Sequence, residues 1–336
     1  MKIIVPMAGM GKRMRPHTLT TPKPLVPVAG KPIVQKLIED LEKVCGKGIE
    51  EVAFIIGPSF GKAVEKDLIA VAEKLGAKGS IYYQHEALGT AHAIMCAKES
   101  LDGNVLVVFA DTLFKADFVL DRSKEGIIWV QKVEDPRPFG VVKVNADNVI
   151  TDFVEKPEHF VSDLAIIGIY YFKDGAYLRS ELQYLLDNNV TDKGEYQLTN
   201  ALENMKAKGT QFEPGKVTEW LDCGNKNSTV YTNGRILSYM HDDKENMVHE
   251  SVQMEGSVVI QPSYIGKNVK LNRSVVGPYA SIGDGCTIEN SVVSNCIVQT
   301  NTKLVNAVID NAMIGNSVEY HGEAKDLSIG DFTTVL

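Results

Sequence analysis

A short apolar motif recurs at a nearly fixed interval through the C-terminal third of this 336-residue chain. Ser-Val-Val begins at 257, 274 and 291, each 17 residues after the last, and Ala-Val-Ile follows at 307 after 16 residues. Between these motifs lie pairs of apolar residues six apart, at 265 and 271, 282 and 288, 298 and 304, and 314 and 320, so that with the motifs apolar positions recur in steps of five or six. Three apolar segments per repeat predict a three-sided parallel β-helix of four coils, because each coil can bury its apolar corners against the next.

Residues 33–140 show a different pattern, in which short apolar runs alternate with helical periodicity after a first apolar run at 3–5. Extended segments are predicted at 3–5, 52–56, 81–83 and 105–109, and helices at 33–44, 63–75 and 91–98. Such alternation predicts an α/β domain with a mainly parallel sheet. A polar-faced helix at 225–243 then links this domain to the repeats. We therefore predict one domain at 1–243, including the linking helix, and a second at 244–336.

Composition excludes several classes of function. The net charge is −8 and no Lys/Arg-rich stripe compensates it, which argues against nucleic acid as a partner. No apolar run is long enough to span a membrane, and 3–5 is too short for the core of a signal peptide, so we expect a cytoplasmic protein. Five cysteines without CxxC spacing predict reduced core thiols.

The first predicted strand leads into a loop that combines small residues with positive charge. Gly9 and Gly11 let backbone N–H groups approach an anion, and Lys12 and Arg13 can neutralise it. Prolines at 22, 24 and 27 then stiffen the segment that presents Lys23. This is neither a Walker loop, which needs Ser or Thr at 13, nor a dinucleotide fingerprint, which needs glycine at 14. The pattern favours a triphosphate.

Asp111 directly follows the predicted strand at 105–109. It fits two interpretations: a helix cap or turn residue, or a Mg²⁺ ligand that accompanies a triphosphate. Ligands of α/β sheets lie beyond the carboxyl ends of the strands, where both Asp111 and the glycine loop are expected.

The sequences A-G-M-G-K-R-M at 8–14 and T-T-P-K-P-L-V-P-V-A-G-K-P at 20–32 resemble the signature of the sugar-1-phosphate nucleotidylyltransferases. Within that family the chain resembles the glucose-1-phosphate thymidylyltransferases. The resemblance covers essentially the whole chain and implies a Rossmann-like nucleotidyltransferase domain followed by a left-handed hexapeptide-repeat β-helix. It implies the reaction NTP + sugar 1-phosphate ⇌ NDP-sugar + pyrophosphate, in class EC 2.7.7. One departure is Lys12, where the family usually has Thr or Ser.

The resemblance also implies roles for individual residues. Arg13 and Lys23 would be catalytic, with Arg13 on the triphosphate and Lys23 on the α-phosphate and the attacking phosphate. Residues expected to bind the nucleotide are Ala8, Gly9, Gly11, Lys12, Gln84, Gly89 and Asp111. Gly140, Glu155 and Lys156, in F-G-V and F-V-E-K-P, would bind the sugar phosphate. Asp111 and Asp222, the latter in W-L-D-C-G, would hold Mg²⁺.

Substrate identity stays open at this point. The Gln84 amide suits the edge of a pyrimidine, so dTTP and UTP are both predicted, and glucose 1-phosphate is the default sugar. Ile166 and Ile167 stand where relatives often place a polar residue. His85 and His92 lie near Gln84, but we assign His92 to helix packing and give neither a role.

Two other functions compete with this prediction. One is a non-catalytic regulator that binds nucleotide sugars, against which the retained Arg13 and Lys23 argue. The other is a hexapeptide-repeat acyltransferase, which needs a catalytic histidine, and only His249 and His321 lie in the repeat domain. The β-helix also suggests self-association into a homo-oligomer.

Overall fold

The computed structural model describes residues 1–9, 11–46, 48–323 and 326–334. Its contacts divide the chain into two compact units, the first comprising 1–26 and 31–224, the second 27–30 and 225–336. The helix that we expected to link the domains lies, by its contacts, in the second unit. A functional boundary at 243 therefore stays a prediction. No helix in the described ranges combines the length and apolarity needed to cross a membrane.

Strands and helices alternate as predicted up to residue 108, whereas no α-helix separates the strands within the described residues 105–172. The strands are β1 (Lys2–Pro6), β2 (Pro27–Val28), β3 (Lys31–Pro32), β4 (Glu51–Ile56), β5 (Lys78–Tyr83), β6 (Val105–Val108), β7 (Thr112–Lys115), β8 (Gly126–Lys132), β9 (Gly140–Val144), β10 (Ile150–Glu155), β11 (Leu164–Phe172), β12 (Phe212–Gly215) and β13 (Glu219–Asp222). The helices are α1 (Ile33–Cys45), α2 (Gly61–Glu73), α3 (Thr90–Met95), α4 (Gly175–Asp187) and α5 (Leu198–Ala207).

A nine-stranded sheet forms the centre of the first unit. Its main path runs β10-β9-β11-β6-β1-β4-β5, with β8 on β11 and β12 on β8. β1 pairs in parallel with β4 and β6, and β4 with β5, so the half built from the alternating segments is parallel. The predicted α/β class is confirmed. β11 adds an antiparallel half through its pairs with β6, β8 and β9.

The common direction of the parallel strands explains why the predicted site residues lie at one edge of the sheet. Ile3, Ile4 and Val5 of β1 are fully buried, as are Val105 and Val107 of β6. Because β1 and β6 run in the same direction, their carboxyl ends meet at one edge of the sheet. The glycine loop leaves β1 there, and the segment that carries Asp111 leaves β6 beside it.

The second unit contains α6 (Lys226–Asp242) and three parallel sheets. Their strands are β14 (Gln253–Glu255), β15 (Val258–Val259), β16 (Tyr264–Ile265), β17 (Lys270–Asn272), β18 (Val275–Val276), β19 (Ala280–Ile282), β20 (Thr287–Glu289), β21 (Val292–Val293), β22 (Cys296–Val298), β23 (Lys303–Val305), β24 (Val308–Ile309), β25 (Ala312–Ile314) and β26 (Glu319–His321). The orders are β14-β17-β20-β23-β26, β15-β18-β21-β24 and β16-β19-β22-β25. These sheets fit the predicted left-handed β-helix.

The repeat predicted the strand register as well. Val258, Val275, Val292 and Val308 stand opposite one another in successive coils. The following residue of each triplet turns inward, so that Val276 and Val293 are fully buried while Val292 and Val308 are exposed. The residues at 265, 282, 298 and 314 align in the same way. The core is therefore a stack of equivalent apolar positions.

Candidate active site

A cavity of about 430 Å³ opens in the first unit at the carboxyl ends of β1 and β6. This volume is typical of a small-molecule site. Nine residues that we predicted to be catalytic or nucleotide-binding line it together: Ala8, Gly9, Gly11, Lys12, Arg13, Lys23, Gln84, Gly89 and Asp111. These residues come from three separate stretches of the chain, 8–23, 84–89 and the segment at 111, which the fold brings together. Their individual roles remain predictions.

The glycine loop packs tightly against the lysine segment. Gly11 has a φ of 57°, and a Cβ there would lie 2.9 Å from the Cβ of Lys23. The Thr18 hydroxyl donates to the Gly11 carbonyl over 2.8 Å and closes the loop. Lys12 and Arg13 are exposed, whereas the next residue, Met14, is buried. Met14 thus anchors the turn from which the two cations reach the cavity.

Lys23 and Asp111 form an ion pair in the cavity wall. The Lys23 Nζ lies 2.7 Å from Asp111 Oδ2. The lysine side chain is only 11% exposed, and the aspartate side chain is 39% exposed. A buried ammonium needs a partner, because removal from water disfavours the charged form. The pair therefore fixes a positive charge beside a carboxylate at the end of β6.

Asp222, at the end of β13, lies beside the segment that carries Asp111, but it is not among the residues that line the cavity. β13 pairs antiparallel with β7, which brings Asp222 opposite Thr112. The Cys223 N–H donates to the Asp111 carbonyl over 2.9 Å. A Cβ at Gly224 would lie 2.9 Å from both carboxylate oxygens of Asp222, so glycine leaves space for that side chain. Gly224 itself lines the cavity.

The two aspartates supply the hard oxygen donors that Mg²⁺ prefers. Within the described ranges, no group of three or more His, Cys, Asp or Glu side chains could hold a metal ion. Mg²⁺ commonly takes only one or two carboxylates and completes its octahedron with phosphate oxygens and water. The donor set therefore fits a magnesium ion that arrives with a phosphate ligand.

Gly140, Glu155 and Lys156 form a separate group. Glu155 stands opposite Gly140 in the pair of β10 with β9. A Cβ at Gly140 would lie 3.0 Å from Glu155 Oε2, and the Lys156 Nζ lies 3.4 Å from Glu155 Oε1. The structure brings these three residues together but does not include them in the cavity wall.

Tyr170 connects this group electrostatically to the cavity. Burial raises the pKa of its hydroxyl, and the negative charges of Glu155 and Asp111 raise it further. Its ring also meets Phe109, a cavity residue, edge to face with centroids 5.9 Å apart. The two carboxylates thus act on one buried phenol, a relation that the sequence did not reveal.

Comparisons with known proteins show the family to which the chain belongs. The family model described as "Nucleotidyl transferase" matches residues 2–238. The chain belongs to the nucleotidyl transferase family. It is an enzyme family whose members transfer nucleotidyl groups.

Relatives of this nucleotidyl transferase span nearly its full length. A glucose-1-phosphate thymidylyltransferase of Streptomyces antibioticus is 27% identical and covers 95% of this chain and 93% of its own. The low-salt glycan biosynthesis nucleotidyltransferase Agl11 of Haloferax volcanii is 28% identical and covers 98% of both. A crystal structure of UDP-glucose pyrophosphorylase with UDP-glucose superimposes with a TM-score of 0.58 at 23% identity, over 71% of this chain and 98% of that one, which shows a shared fold.

In this nucleotidyl transferase, His92 has a contact that our packing assignment missed. The Gln84 Nε2 lies 3.3 Å from the Gly89 carbonyl oxygen and 3.1 Å from His92 Nδ1. A carbonyl can only accept, so the Gln84 amide nitrogen donates on this side and His92 Nδ1 accepts. Burial lowers the pKa of His92, against an opposing effect of Glu86, and this favours the neutral ring that the contact requires. His92 therefore orients Gln84.

Glu195 is a second residue to which we gave no role. It lines the cavity, and Gln197 Nε2 donates to its Oε2 over 2.9 Å. The adjoining Tyr196 backbone explains Gly89: at a φ of 109°, a Cβ there would lie 2.7 Å from the Tyr196 nitrogen. Only glycine allows this close approach. The segment after Gly194 thus belongs to the cavity wall.

Proposed function

We propose that this enzyme transfers the nucleotidyl group of dTTP or UTP to a sugar 1-phosphate, with glucose 1-phosphate as the first candidate, and releases pyrophosphate. The observation that carries the proposal is the Lys23–Asp111 pair, 2.7 Å apart, in a cavity that the glycine loop and Arg13 also line. The names of the relatives from Streptomyces antibioticus and Haloferax volcanii support the same reaction class.

The proposed chemistry is an in-line displacement at the α-phosphorus. A phosphate oxygen of the sugar 1-phosphate attacks, a new P–O bond forms, and the bond to the bridging oxygen of the β-phosphate breaks. Such a reaction needs placement and charge neutralisation more than proton transfer. Lys23, held by Asp111, would bind the α-phosphate and the attacking phosphate. Arg13, exposed at the cavity rim, would neutralise the departing pyrophosphate.

We propose that Asp111 and Asp222 hold Mg²⁺. When bound, the ion supplies positive charge to phosphate oxygens and so stabilises the charge that develops during transfer. The protein contributes the paired strands β7 and β13, which keep the two aspartates adjacent, and Gly224, which leaves the Asp222 carboxylate room.

The amide of Gln84 supports the preference for dTTP and UTP. Its nitrogen donates toward Gly89 and His92, which leaves its carbonyl oxygen as the group able to accept from a base. Thymine and uracil each present a ring N–H between two carbonyl oxygens, whereas cytosine presents an acceptor there. For the sugar, Glu155 would accept from hydroxyl groups and Lys156 would meet the phosphate.

Self-association through the β-helix is part of the proposal. Its outward valines, of which Val308 is 87% exposed, offer an apolar ladder on one face. Light scattering of the full chain and of Val292→Glu would test this, since the charge should shift a homo-oligomer toward monomer. We also propose that residues 1–243 form the catalytic domain and that residues 244–336 form the β-helix domain.

A substrate matrix tests the function. Pyrophosphate release is measured with dTTP, UTP, CTP, ATP and GTP, each against several sugar 1-phosphates, at fixed Mg²⁺. We expect dTTP or UTP to give the highest kcat/KM. Binding of nucleotide sugars without turnover in any combination would favour the regulator instead. Acetyl-CoA consumption without pyrophosphate release would favour the acyltransferase.

A further inference from the structure

The loop that carries Lys23 continues into a turn that belongs to the second unit. Lys23 begins a short 3₁₀ helix, Lys23–Leu25, and only one residue separates that helix from Pro27–Gly30. By its contacts, the segment 27–30 clusters with residues 225–336 rather than with the chain on either side of it. The far end of the lysine loop is therefore attached to the second unit.

Ala29 and Gly30 form the two-residue turn that connects β2 and β3. Ala29 has a φ of 46° and Gly30 a φ of 81°, so two consecutive residues are left-handed. This region disfavours a residue with a Cβ by about 1–2 kcal/mol. Such conformations persist where the surroundings hold them. Ala29 is 3% exposed, so buried contacts hold it in addition to the hairpin that the turn closes.

Asn233 of α6 provides one of these contacts. Its side chain is fully buried. Its Oδ1 accepts from the Ala29 N–H over 2.9 Å and from the Ser281 hydroxyl over 2.7 Å. Its Nδ2 donates to the Tyr279 carbonyl over 3.3 Å. One side chain of the helix thus joins the turn to two positions of the β-helix.

Tyr264 provides a second contact from the first coil. Its ring lies over Gly30 so closely that a Cβ on Gly30 would come within 2.6 Å of Tyr264 Cε1. Gly30 is therefore required both by its φ and by this ring. Asn233 holds one residue of the turn by a hydrogen bond, and Tyr264 covers the next.

We propose that Asn233 is a positioning residue for Lys23, and that α6 and the β-helix serve catalysis by fixing the end of the lysine loop. Five residues separate Lys23 from Ala29, and two of them, Pro24 and Pro27, have φ fixed by their rings. Because this short segment is stiff, fixing Ala29 at its far end also restricts the position of Lys23. The catalytic consequence rests on the role proposed for Lys23, whereas the anchoring can be tested without it.

The first test measures the accessibility of Lys23 without any substrate. The full-length protein is labelled with acetic anhydride, and the modification rate of Lys23 is compared by mass spectrometry with that of Lys36. Lys36 is an internal control, because it is 18% exposed and ion-paired with Asp40 on α1. We expect Asn233→Ala to raise the Lys23/Lys36 ratio about tenfold, the factor for one lost buried hydrogen bond.

Matched variants separate anchoring from general loosening. Ser281→Ala removes the other donor to Asn233 Oδ1 and should leave the ratio unchanged within about twofold. Asn233→Asp keeps an oxygen for the Ala29 N–H and should recover most of the protection. Tyr264→Ala is a second variant for the case in which Asn233→Ala does not fold. Because Tyr264 is only half-buried, we expect Tyr264→Ala to fold and to raise the Lys23/Lys36 ratio. A wild-type ratio in Tyr264→Ala and in any folded Asn233→Ala would overturn the proposal.

Kinetics with the substrates selected by the matrix then test the consequence for catalysis. We expect Asn233→Ala to lower kcat about tenfold with little change in the KM for sugar 1-phosphate, and Ser281→Ala to retain the wild-type kcat. A purely structural role would lower the melting temperature of both variants and leave both kcat values unchanged. If Lys23 labelling rises while kcat does not fall, the anchor stands and the catalytic role of Lys23 fails.

Discussion

Replacing Asp111 with asparagine removes a negative charge from the cavity and changes the side-chain shape very little. Lys23 would then lose an anionic partner at 2.7 Å while staying 89% buried. A hydrogen bond between charged groups contributes about 1.5–3 kcal/mol. Because the Asp111 side chain is 39% exposed, solvent screens the pair, and we expect Asp111→Asn to lower the free energy of unfolding by about 1–2 kcal/mol. This corresponds to a fall in Tm of about 2–6 °C.

The loss of activity should be far larger than the loss of stability. Asparagine neither pairs with Lys23 as an anion nor offers a second carboxylate beside Asp222, so we expect kcat to fall at least about 10²-fold. Pyrophosphate release and thermal unfolding are measured on the same preparations. Asp40→Asn is the matched control: it weakens the Lys36–Asp40 pair on α1, 3.5 Å apart and outside the cavity, and should leave kcat unchanged. A kcat for Asp111→Asn within about threefold of wild type would refute the reasoning.

Three further predictions concern the charge, the shape and the titration of the cavity. Arg13→Ala should lower kcat/KM about 10²-fold by steady-state kinetics with almost no change in Tm, because Arg13 is exposed; wild-type kinetics would remove it from the mechanism. Gly89→Ala should raise the KM for NTP at least about tenfold, because its Cβ would meet the Tyr196 backbone. The control is Gly76→Ala, at a left-handed position with open space around the added Cβ, which should change only Tm. The same KM in both variants would contradict the prediction. Burial lowers the pKa of His92 below its ordinary 6.5, so its neutral form contributes stability above that pH and loses it as the pH falls toward the folded pKa. The KM for NTP, measured from pH 8 to 5, should therefore rise in wild type as the pH falls through the folded pKa, which lies below 6.5, and should rise less in His92→Asn, which keeps an acceptor that does not titrate; parallel profiles would exclude the contact.

The β-helix was predictable because each sequence repeat corresponds to one coil of the structure. Residues 17 apart occupy equivalent places on successive coils, so the interval gave both the strand positions and their register. The parallel half of the sheet was predictable for a related reason, since each strand–helix unit is local in the chain. The antiparallel half was not, because the pairs of β11 join segments far apart and carry no periodic signal.

The candidate site also contains one part that could be predicted from the sequence and one part that could not. The glycine loop and Lys23 lie in one continuous stretch with unusual proline content, and their proximity could be expected from it. The proximity of Asp111 to Asp222 depends on the pairing of β13 with β7, and only the family resemblance suggested it. His92 looked like a packing residue because it lies within a short helix of small residues. Its contact with Gln84 depends on how that helix follows the Gly89 turn.

The central claim is that Lys23 and the two aspartates act on one triphosphate. A crystal structure of the full chain with Mg²⁺ and the NTP preferred in the matrix tests it most directly. The account predicts the α-phosphate within hydrogen-bond distance of the Lys23 ammonium, with the ion between Asp111 and Asp222. A triphosphate bound away from Lys23, or an ion that contacts neither aspartate, would contradict it.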